Sequence, residues 1–245
     1  MGKIYFASDF HLGTPNDAES RIRERKVVAW LQSIAPDCDA LYLMGDVFDF
    51  WYEYRYTAPK GFVRLLGKLA EMSDSGIPIY FFPGNHDLWA KEYLEQEIGW
   101  KTIRRPIRIS LQGKTCLLGH GDGLGPGDHG FKLMSKVFHA SWAQWLFSRL
   151  HPNFSFSLAK KWSKSSRDSQ DPHPAFLGEK EYLVAYGREE LQKEPFDYMI
   201  MGHRHQPLMF QLNEKATYCN LGDWIHSFTY AEMQEGILSL KQWEN

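Results

Sequence analysis

Ile77-Pro78-Ile79-Tyr80-Phe81-Phe82-Pro83-Gly84-Asn85-His86-Asp87 is the stretch on which the fold turns. Its apolar first half ends in Pro-Gly, the pattern of a short buried strand that opens into a tight loop. The loop then presents an amide, an imidazole and a carboxylate on consecutive residues. Parallel sheets in α/β folds gather ligands at the C-terminal ends of their strands, and this stretch suits such an edge. Taken alone, Asn85 or Asp87 could equally close a turn or cap the next helix. Four other stretches repeat the pattern.

Toward the N-terminus, Ile4 to Ala7 is an apolar run that ends in Ser8-Asp9-Phe10-His11, and Leu41-Tyr42-Leu43-Met44 ends in Gly45-Asp46-Val47-Phe48-Asp49. Toward the C-terminus, Thr115 to Leu118 ends in Gly119-His120, and Tyr198 to Met201 ends in Gly202-His203-Arg204-His205. Helical spacing fills the first gaps: Val27, Trp30, Leu31 and Ile34 in a helix from about Ala18, and Phe62, Leu65, Leu66, Leu69 and Met72 in one stopped by Gly76. Gln112-Gly113-Lys114 signals a hairpin between Ile107–Leu111 and Thr115–Leu118. A strand near Tyr218 to Leu221 and a hairpin over about Thr229 to Leu240 complete the pattern.

Between Leu124 and about Ala175 the strand pattern stops. Phe131, Met134, Phe138, Trp142, Trp145 and Leu146 follow helical spacing; Pro152 interrupts it, and Phe154, Leu158 and Trp162 resume it. The spacing predicts a helical cap over residues 124–178, inserted in a single domain of residues 1–245. Basic residues in this segment (Lys132, Lys136, Arg149, Lys160, Lys161, Lys164, Arg167) outnumber the acids Asp128, Asp168 and Asp171.

The bulk numbers exclude several classes. Hydrophobic residues at 43% and charged residues at 24% are ordinary for a globular chain of 245 residues. A net charge of −2 provides no global field to recruit long nucleic acid. Cys38, Cys116 and Cys219 are odd in number and scattered, which argues against a disulfide framework and for a reducing compartment. Asp9 interrupts any apolar signal-peptide region, and no apolar run approaches the roughly 20 residues that span a bilayer. The expectation is a cytoplasmic protein with no obligate protein partner evident. Nine tryptophans in an aromatic content of 15% call for a reason.

Asp9 and His11 lie two apart, as do His203 and His205, so extended backbone turns each pair to one side. With Asp46, Asn85 and His120 they make seven mixed oxygen and nitrogen donors. That exceeds the need of one ion and suits two sharing a bridging carboxylate, an arrangement used in phosphate ester hydrolysis. Imidazole and carboxylate without thiolate point to Mn²⁺, with Fe or Zn²⁺ as alternatives, over the all-oxygen sites of Mg²⁺ and Ca²⁺. Asp9 and Asp46 could instead be helix caps. Capping, however, does not require histidines.

These five blocks, Asp9-Phe10-His11, Gly45-Asp46-Val47-Phe48-Asp49, Gly84-Asn85-His86-Asp87, Gly119-His120 and Gly202-His203-Arg204-His205, resemble the blocks of the calcineurin-like metallophosphoesterases in kind and order. The resemblance implies an α/β sandwich of two β-sheets flanked by helices. It assigns Asp9, His11, Asp46 and His205 to one metal and Asp46, Asn85, His120 and His203 to the other. It also implies in-line attack on phosphorus, with His86 donating to the leaving or a phosphoryl oxygen and Asp87 orienting that imidazole. Asp49 fits either an acceptor for a ligating histidine or a turn cap.

Over the whole chain, Gly45-Asp46-x-Phe48-x-x-Trp51, Gly119-His120-Gly121-Asp122, Asp128 and the basic helical insertion resemble the bacterial UDP-2,3-diacylglucosamine pyrophosphohydrolases of lipid A synthesis. This resemblance implies an amphiphilic nucleotide-sugar lipid substrate, cleavage at the α-phosphorus, and peripheral attachment to the inner membrane. Substrate contacts carried over from it fall on Asn85, Asp128, Ser163, Arg167 and His203. His86 and Asp49 stand where many members carry Arg and Glu, which keeps open a paralogue acting on another nucleotide diphosphate or phosphodiester. Other readings are a nuclease or cyclic-nucleotide phosphodiesterase, which should show a basic groove, and a non-catalytic scaffold, which would be free to lose ligands. A protein phosphatase fits least, because a cap obstructs a protein chain.

Overall fold

A computed structural model describes residues 2–127, 129–168 and 176–244. Its strands are β1 (Lys3–Ala7), β2 (Cys38–Leu43), β3 (Ile79–Phe81), β4 (Lys101–Thr102), β5 (Ile107–Leu111), β6 (Lys114–Leu118), β7 (Tyr198–Met201), β8 (Leu208–Gln211), β9 (Thr217–Asn220), β10 (Thr229–Gln234) and β11 (Ile237–Gln242). They form two mixed sheets, ordered β11-β10-β1-β2-β3-β4 and β5-β6-β7-β9-β8. β1 to β4 run parallel in the first sheet, as do β6, β7 and β9 in the second. The expected sandwich of two sheets flanked by helices is therefore the observed fold.

Alternation along each strand builds three apolar layers. Ile4 and Phe6 of β1, Ala40 and Tyr42 of β2, and Ile200 of β7 meet Cys116 and Cys219 between the sheets. Tyr5, Ala7, Leu41 and Leu43 face the other way, onto Trp30 and Leu31 of α1 (Asp17–Ile34) and Leu65, Leu69 and Met72 of α2 (Val63–Asp74). Leu94 and Ile98 of α3 (Tyr93–Ile98) join that layer. The connection from Trp30 to Trp224, ring centroids 5.0 Å apart, ties α1 to the loop after β9.

Local chemistry sets the element ends. Asn16 caps α1 by accepting the N–H groups of Ala18 and Glu19 at 3.0 Å, one residue earlier than the pattern predicts. The Gln112-Gly113 turn puts both residues at positive φ (47° and 80°), as a two-residue hairpin demands. Three helices follow β6: α4 (His129–His139), α5 (Ser141–Ser148) and α6 (Pro152–Asp168). Pro152 opens α6, where its missing N–H costs nothing. After it comes α7 (Tyr182–Lys193), whose Leu183 and Val184 pack with Met199 and Met201 on the outer face of the second sheet. Cys38, Cys116 and Cys219 are buried free thiols, each pushed up to about 12 by burial. Among the described residues no helix is long and apolar enough to cross a membrane.

Candidate metal centre

The loops that follow β1, β2 and β3 in one sheet and β6 and β7 in the other converge on one point, at the C-terminal ends of their parallel strands. The first two loops are stitched together by backbone bonds: Asp9 N–H to the Gly45 carbonyl and His11 N–H to the Asp46 carbonyl, both 2.9 Å. The third joins through Asp46 Oδ1, which accepts the His86 backbone N–H at 2.9 Å. The fifth joins through Asp9 Oδ2, which accepts the His203 N–H at 3.0 Å.

His11 Nε2 and His205 Nε2 lie 3.1 Å apart, and Asp9 Oδ1 is 3.1 Å from the latter and 3.6 Å from the former. Three donors converging at that spacing match ligands about 2.1 Å from a common ion. On the other side, Asp46 Oδ2 is 3.3 Å from His120 Nε2, and Asp46, His120 and His203 form a second converging group. Asp46 Oδ2 also lies 3.7 Å from His11 Nε2, so this carboxylate stands between the two groups. The buried Asn85 Oδ1 accepts no hydrogen bond among the described residues. Asn85 lines the same cavity as Asp46 and His203.

Backbone and charge both fit cation binding. Asp9, His11, Asp46, His203 and His205 all sit at positive φ, between 44° and 68°, a strained conformation for non-glycine residues that is kept where side-chain aim matters. Burial alone would raise the Asp9 and Asp46 carboxyls, but the imidazoles around them outweigh it and hold both well below the usual range. Burial would lower His120, yet the Asp46 carboxylate outweighs it and raises that imidazole, so positive charge is favoured at this junction. His203 is pushed down to about 3 by burial and by His120, which leaves a neutral ring, the form that ligates metals. His120 Nδ1 donates to the Met44 carbonyl at 2.7 Å, which leaves Nε2 toward Asp46.

Two glycines make the convergence possible. A Cβ on Gly84 would fall onto Asp46 Oδ1 and His120 Nε2, and one on Gly45, at φ +95°, onto the His120 ring. Gly84→Ala is thus expected to cut Mn²⁺ affinity by about 10-fold or more, the scale seen for disturbed ligand positioning. Circular dichroism should remain that of the folded chain. Unaltered Mn²⁺ binding by calorimetry would show that the donors do not meet beside Gly84.

Asp87 has a different place from the one the family resemblance implies. It does not touch the His86 imidazole; its carboxylate accepts the backbone N–H groups of Gly84 and Val47 at 2.7 Å, and those of Asp46 and Phe48 at 3.3 and 3.4 Å. It clamps the second and third loops to each other. Burial and the Asp46 charge push it up to about 7, against those amides. His86 is oriented by other groups: its Nδ1 donates to the Asp49 carbonyl at 2.9 Å and lies 3.3 Å from Ser163 Oγ. Ser163 Oγ also donates to Asp49 Oδ1 at 3.0 Å, which brings α6 of the insertion to the centre. Asp128 lies outside the described residues, and the side chain of Arg167 is not among those described.

Two further residues support the centre. Arg23, buried on α1, donates to the carbonyls of Phe10, His11 and Thr14 and holds the first loop. Nothing in a lone helical arginine signals that. Asp223, 3.9 Å from His205 Nδ1, follows β9 in Leu221-Gly222-Asp223, the same strand-Gly-Asp pattern as Gly45-Asp46, and could have been read.

From the centre a cavity of about 290 Å³ runs under the insertion. At one end are His11, Asp46, Asn85, His86, His203 and His205; the far wall includes Phe138, Phe147, Leu158 and Trp162. Trp142 and Trp145 are not in its lining and are 64% and 59% exposed. The collar is held to the body by Trp89, whose Nε1 donates to the Phe138 carbonyl at 2.8 Å, and by Tyr52 and Phe50 against Phe147.

The chain is 38% identical to the UDP-2,3-diacylglucosamine hydrolase of Porphyromonas gingivalis (strain ATCC BAA-308 / W83), an alignment that covers 99% of this chain and 98% of that one. It is 31% identical to the protein of the same name from Haemophilus influenzae (strain ATCC 51907 / DSM 11121 / KW20 / Rd), over 91% of each. With the corresponding Actinobacillus succinogenes protein it shares 28% identity over 99% of this chain and 100% of that one. The description Calcineurin-like phosphoesterase matches residues 2–207. Because that match runs through all five converging loops, from Asp9 to His205, the chain belongs to the calcineurin-like phosphoesterase family.

Proposed function

We propose that this protein is a dinuclear-metal hydrolase that cleaves the pyrophosphate anhydride of UDP-2,3-diacylglucosamine to UMP and 2,3-diacylglucosamine 1-phosphate in lipid A biosynthesis. The observation that carries the reading is the single cavity joining the converging donors to the apolar wall of Phe138, Phe147, Leu158 and Trp162. A phosphate ester without an acyl chain has no use for that wall. The relatives' shared name supports the same substrate.

In this reading Asp9, His11, Asp46 and His205 hold one ion, Asp46, Asn85, His120 and His203 the other, and Mn²⁺ is the ion expected from the donor set. What two divalent ions supply in such a site is neutralisation of phosphoryl charge and hydroxide near neutral pH. The chain's own residues do the rest. With its Nδ1 committed to the Asp49 carbonyl, His86 exchanges a proton through Nε2 with the leaving or a phosphoryl oxygen. Ser163 and Asp49 fix its ring, and Asp87 acts as a positioning residue that keeps the second and third loops in register. Residues 124–178 act as the substrate-binding cap of a single domain, with Asn85, Asp128, Ser163, Arg167 and His203 on the substrate. The exposed Trp142, Trp145, Leu146 and Phe154, with the Arg149 guanidinium 4.8 Å over the Trp145 ring, suit peripheral attachment to an anionic membrane face.

The test compares UMP release from UDP-2,3-diacylglucosamine and from UDP-N-acetylglucosamine, with Mn²⁺ present. The acylated substrate is expected to be favoured by at least about 100-fold in kcat/KM, the yield of a few buried methylenes. Trp162→Ala should shrink that preference about 10-fold, the loss of roughly 1.4 kcal/mol of apolar contact. Equal rates on the two nucleotide sugars would reject the lipid and leave another nucleotide diphosphate as the substrate.

A further inference from the structure

The cavity that reaches the apolar wall carries no Lys or Arg in its described lining. A second cavity, of about 1220 Å³, opens beside it and shares Leu88, Trp89, Asp122 and Ser135 with it. His120 of the converging donors lines this second space. Its walls carry Lys91, Arg104, Arg105, Lys132 and Lys136 against Glu92, Glu95 and Asp122. The Glu95 carboxylate is already engaged, accepting the Thr102 N–H at 2.9 Å.

Two of the five cations are anchored in the wall: Arg104 donates to the carbonyls of Leu88 and Ala90, and Lys132 to that of Gly125. Each keeps further donors, since a guanidinium has five and an ammonium three. Lys91, Arg105 and Lys136 are exposed. The donor cluster therefore sits where a chamber rich in apolar side chains meets one rich in cations. A molecule split at its pyrophosphate into an acyl-bearing half and a nucleotide half needs opposite surroundings on the two sides of the broken bond. Phosphate beside Phe138 and Leu158 would lose hydration without recompense, whereas arginine forks match it in shape and charge.

We propose that the second cavity is a nucleotide chamber, which takes the nucleoside monophosphate half of the substrate with its phosphate toward the converging donors and its nucleoside along the wall that carries Arg105 and Lys136, and releases that half as product. This rests on the pyrophosphatase reading above. It makes the two chambers separable by mutation.

The experiment uses UMP and orthophosphate as competitors of bis-p-nitrophenyl phosphate hydrolysis by the Mn²⁺-loaded protein. In an Arg105→Glu, Lys136→Glu double variant the UMP inhibition constant is expected to rise about tenfold, a change of one decade in affinity. The orthophosphate constant, set at the ions, should move by less than about twofold. An unchanged UMP constant overturns the proposal, and so does equal weakening of UMP and orthophosphate, which would mark a diffuse field effect. The single Arg105→Ala variant gives a graded version should the double variant fold poorly. Should the wild type leave UDP-2,3-diacylglucosamine uncleaved, the substrate reading falls. The UMP-against-orthophosphate comparison still decides the chamber: selective loss of UMP supports it, and its absence overturns it.

Discussion

Asp46→Ala is expected to lower kcat by about 10³-fold or more, since loss of a shared ligand removes several kcal/mol of charge stabilisation at phosphorus. Asp46 earns this weight from its position. Its Oδ2 lies 3.3 Å from His120 Nε2 and 3.7 Å from His11 Nε2, one in each donor group, while its Oδ1 ties in the third loop through the His86 N–H. Metal content by atomic emission should fall together with activity. Asp46→Asn keeps an oxygen for the His86 N–H but lacks the charge, so it should retain the fold and still lose the bound metal. Wild-type turnover in either variant would contradict a shared-ligand centre.

The second large effect is at His86. His86→Ala is expected to retain Mn²⁺ and lose about 10²–10⁴-fold in kcat, the range of a positioned proton donor. A structural role would not change how rate depends on the leaving group; a proton role would. Across phosphodiesters of rising leaving-group basicity, the variant should show a steeper decline than the wild type if His86 Nε2 serves the leaving oxygen. A uniform loss would take the imidazole off the leaving oxygen, leaving it to a phosphoryl oxygen or to support of the site. An unchanged kcat would remove His86 from the chemistry and leave it as a support beside Asp49 and Ser163.

Much of this was legible in the chain because the code at strand ends is local. Alternation in Ile4-Tyr5-Phe6-Ala7 separates the inter-sheet face from the helix face with no tertiary information, and the loops that follow β1, β2, β3, β6 and β7 each open on a donor within a few residues of the strand end. Elements that alternate weakly or are very short escaped: β4 has two residues, β8 is a four-residue edge strand, and α7 packs on the outer sheet face, where the pattern is diluted by polar residues. Asp87 shows a different limit. The family resemblance implies that it orients the His86 imidazole, yet three of its four backbone N–H partners lie 39 to 41 residues away, beyond the reach of any short-range pattern. Trp142 and Trp162 both follow helical spacing, but Trp162 on α6 lines the cavity whereas Trp142 on α5 is exposed outside it, a difference that spacing does not reveal. The contrast between the two chambers is legible only after folding, since Arg104 and Arg105 lie far in sequence from Lys132 and Lys136.

The central claim, hydrolysis at the nucleotide-side phosphorus of a lipid-linked pyrophosphate, is tested most directly by turnover of UDP-2,3-diacylglucosamine in ¹⁸O-labelled water with Mn²⁺, followed by mass spectrometry of both products. Rapid release of UMP carrying the label, with unlabelled 2,3-diacylglucosamine 1-phosphate, is the expected result. Label in the lipid phosphate, or no UMP while bis-p-nitrophenyl phosphate is still hydrolysed, would contradict it.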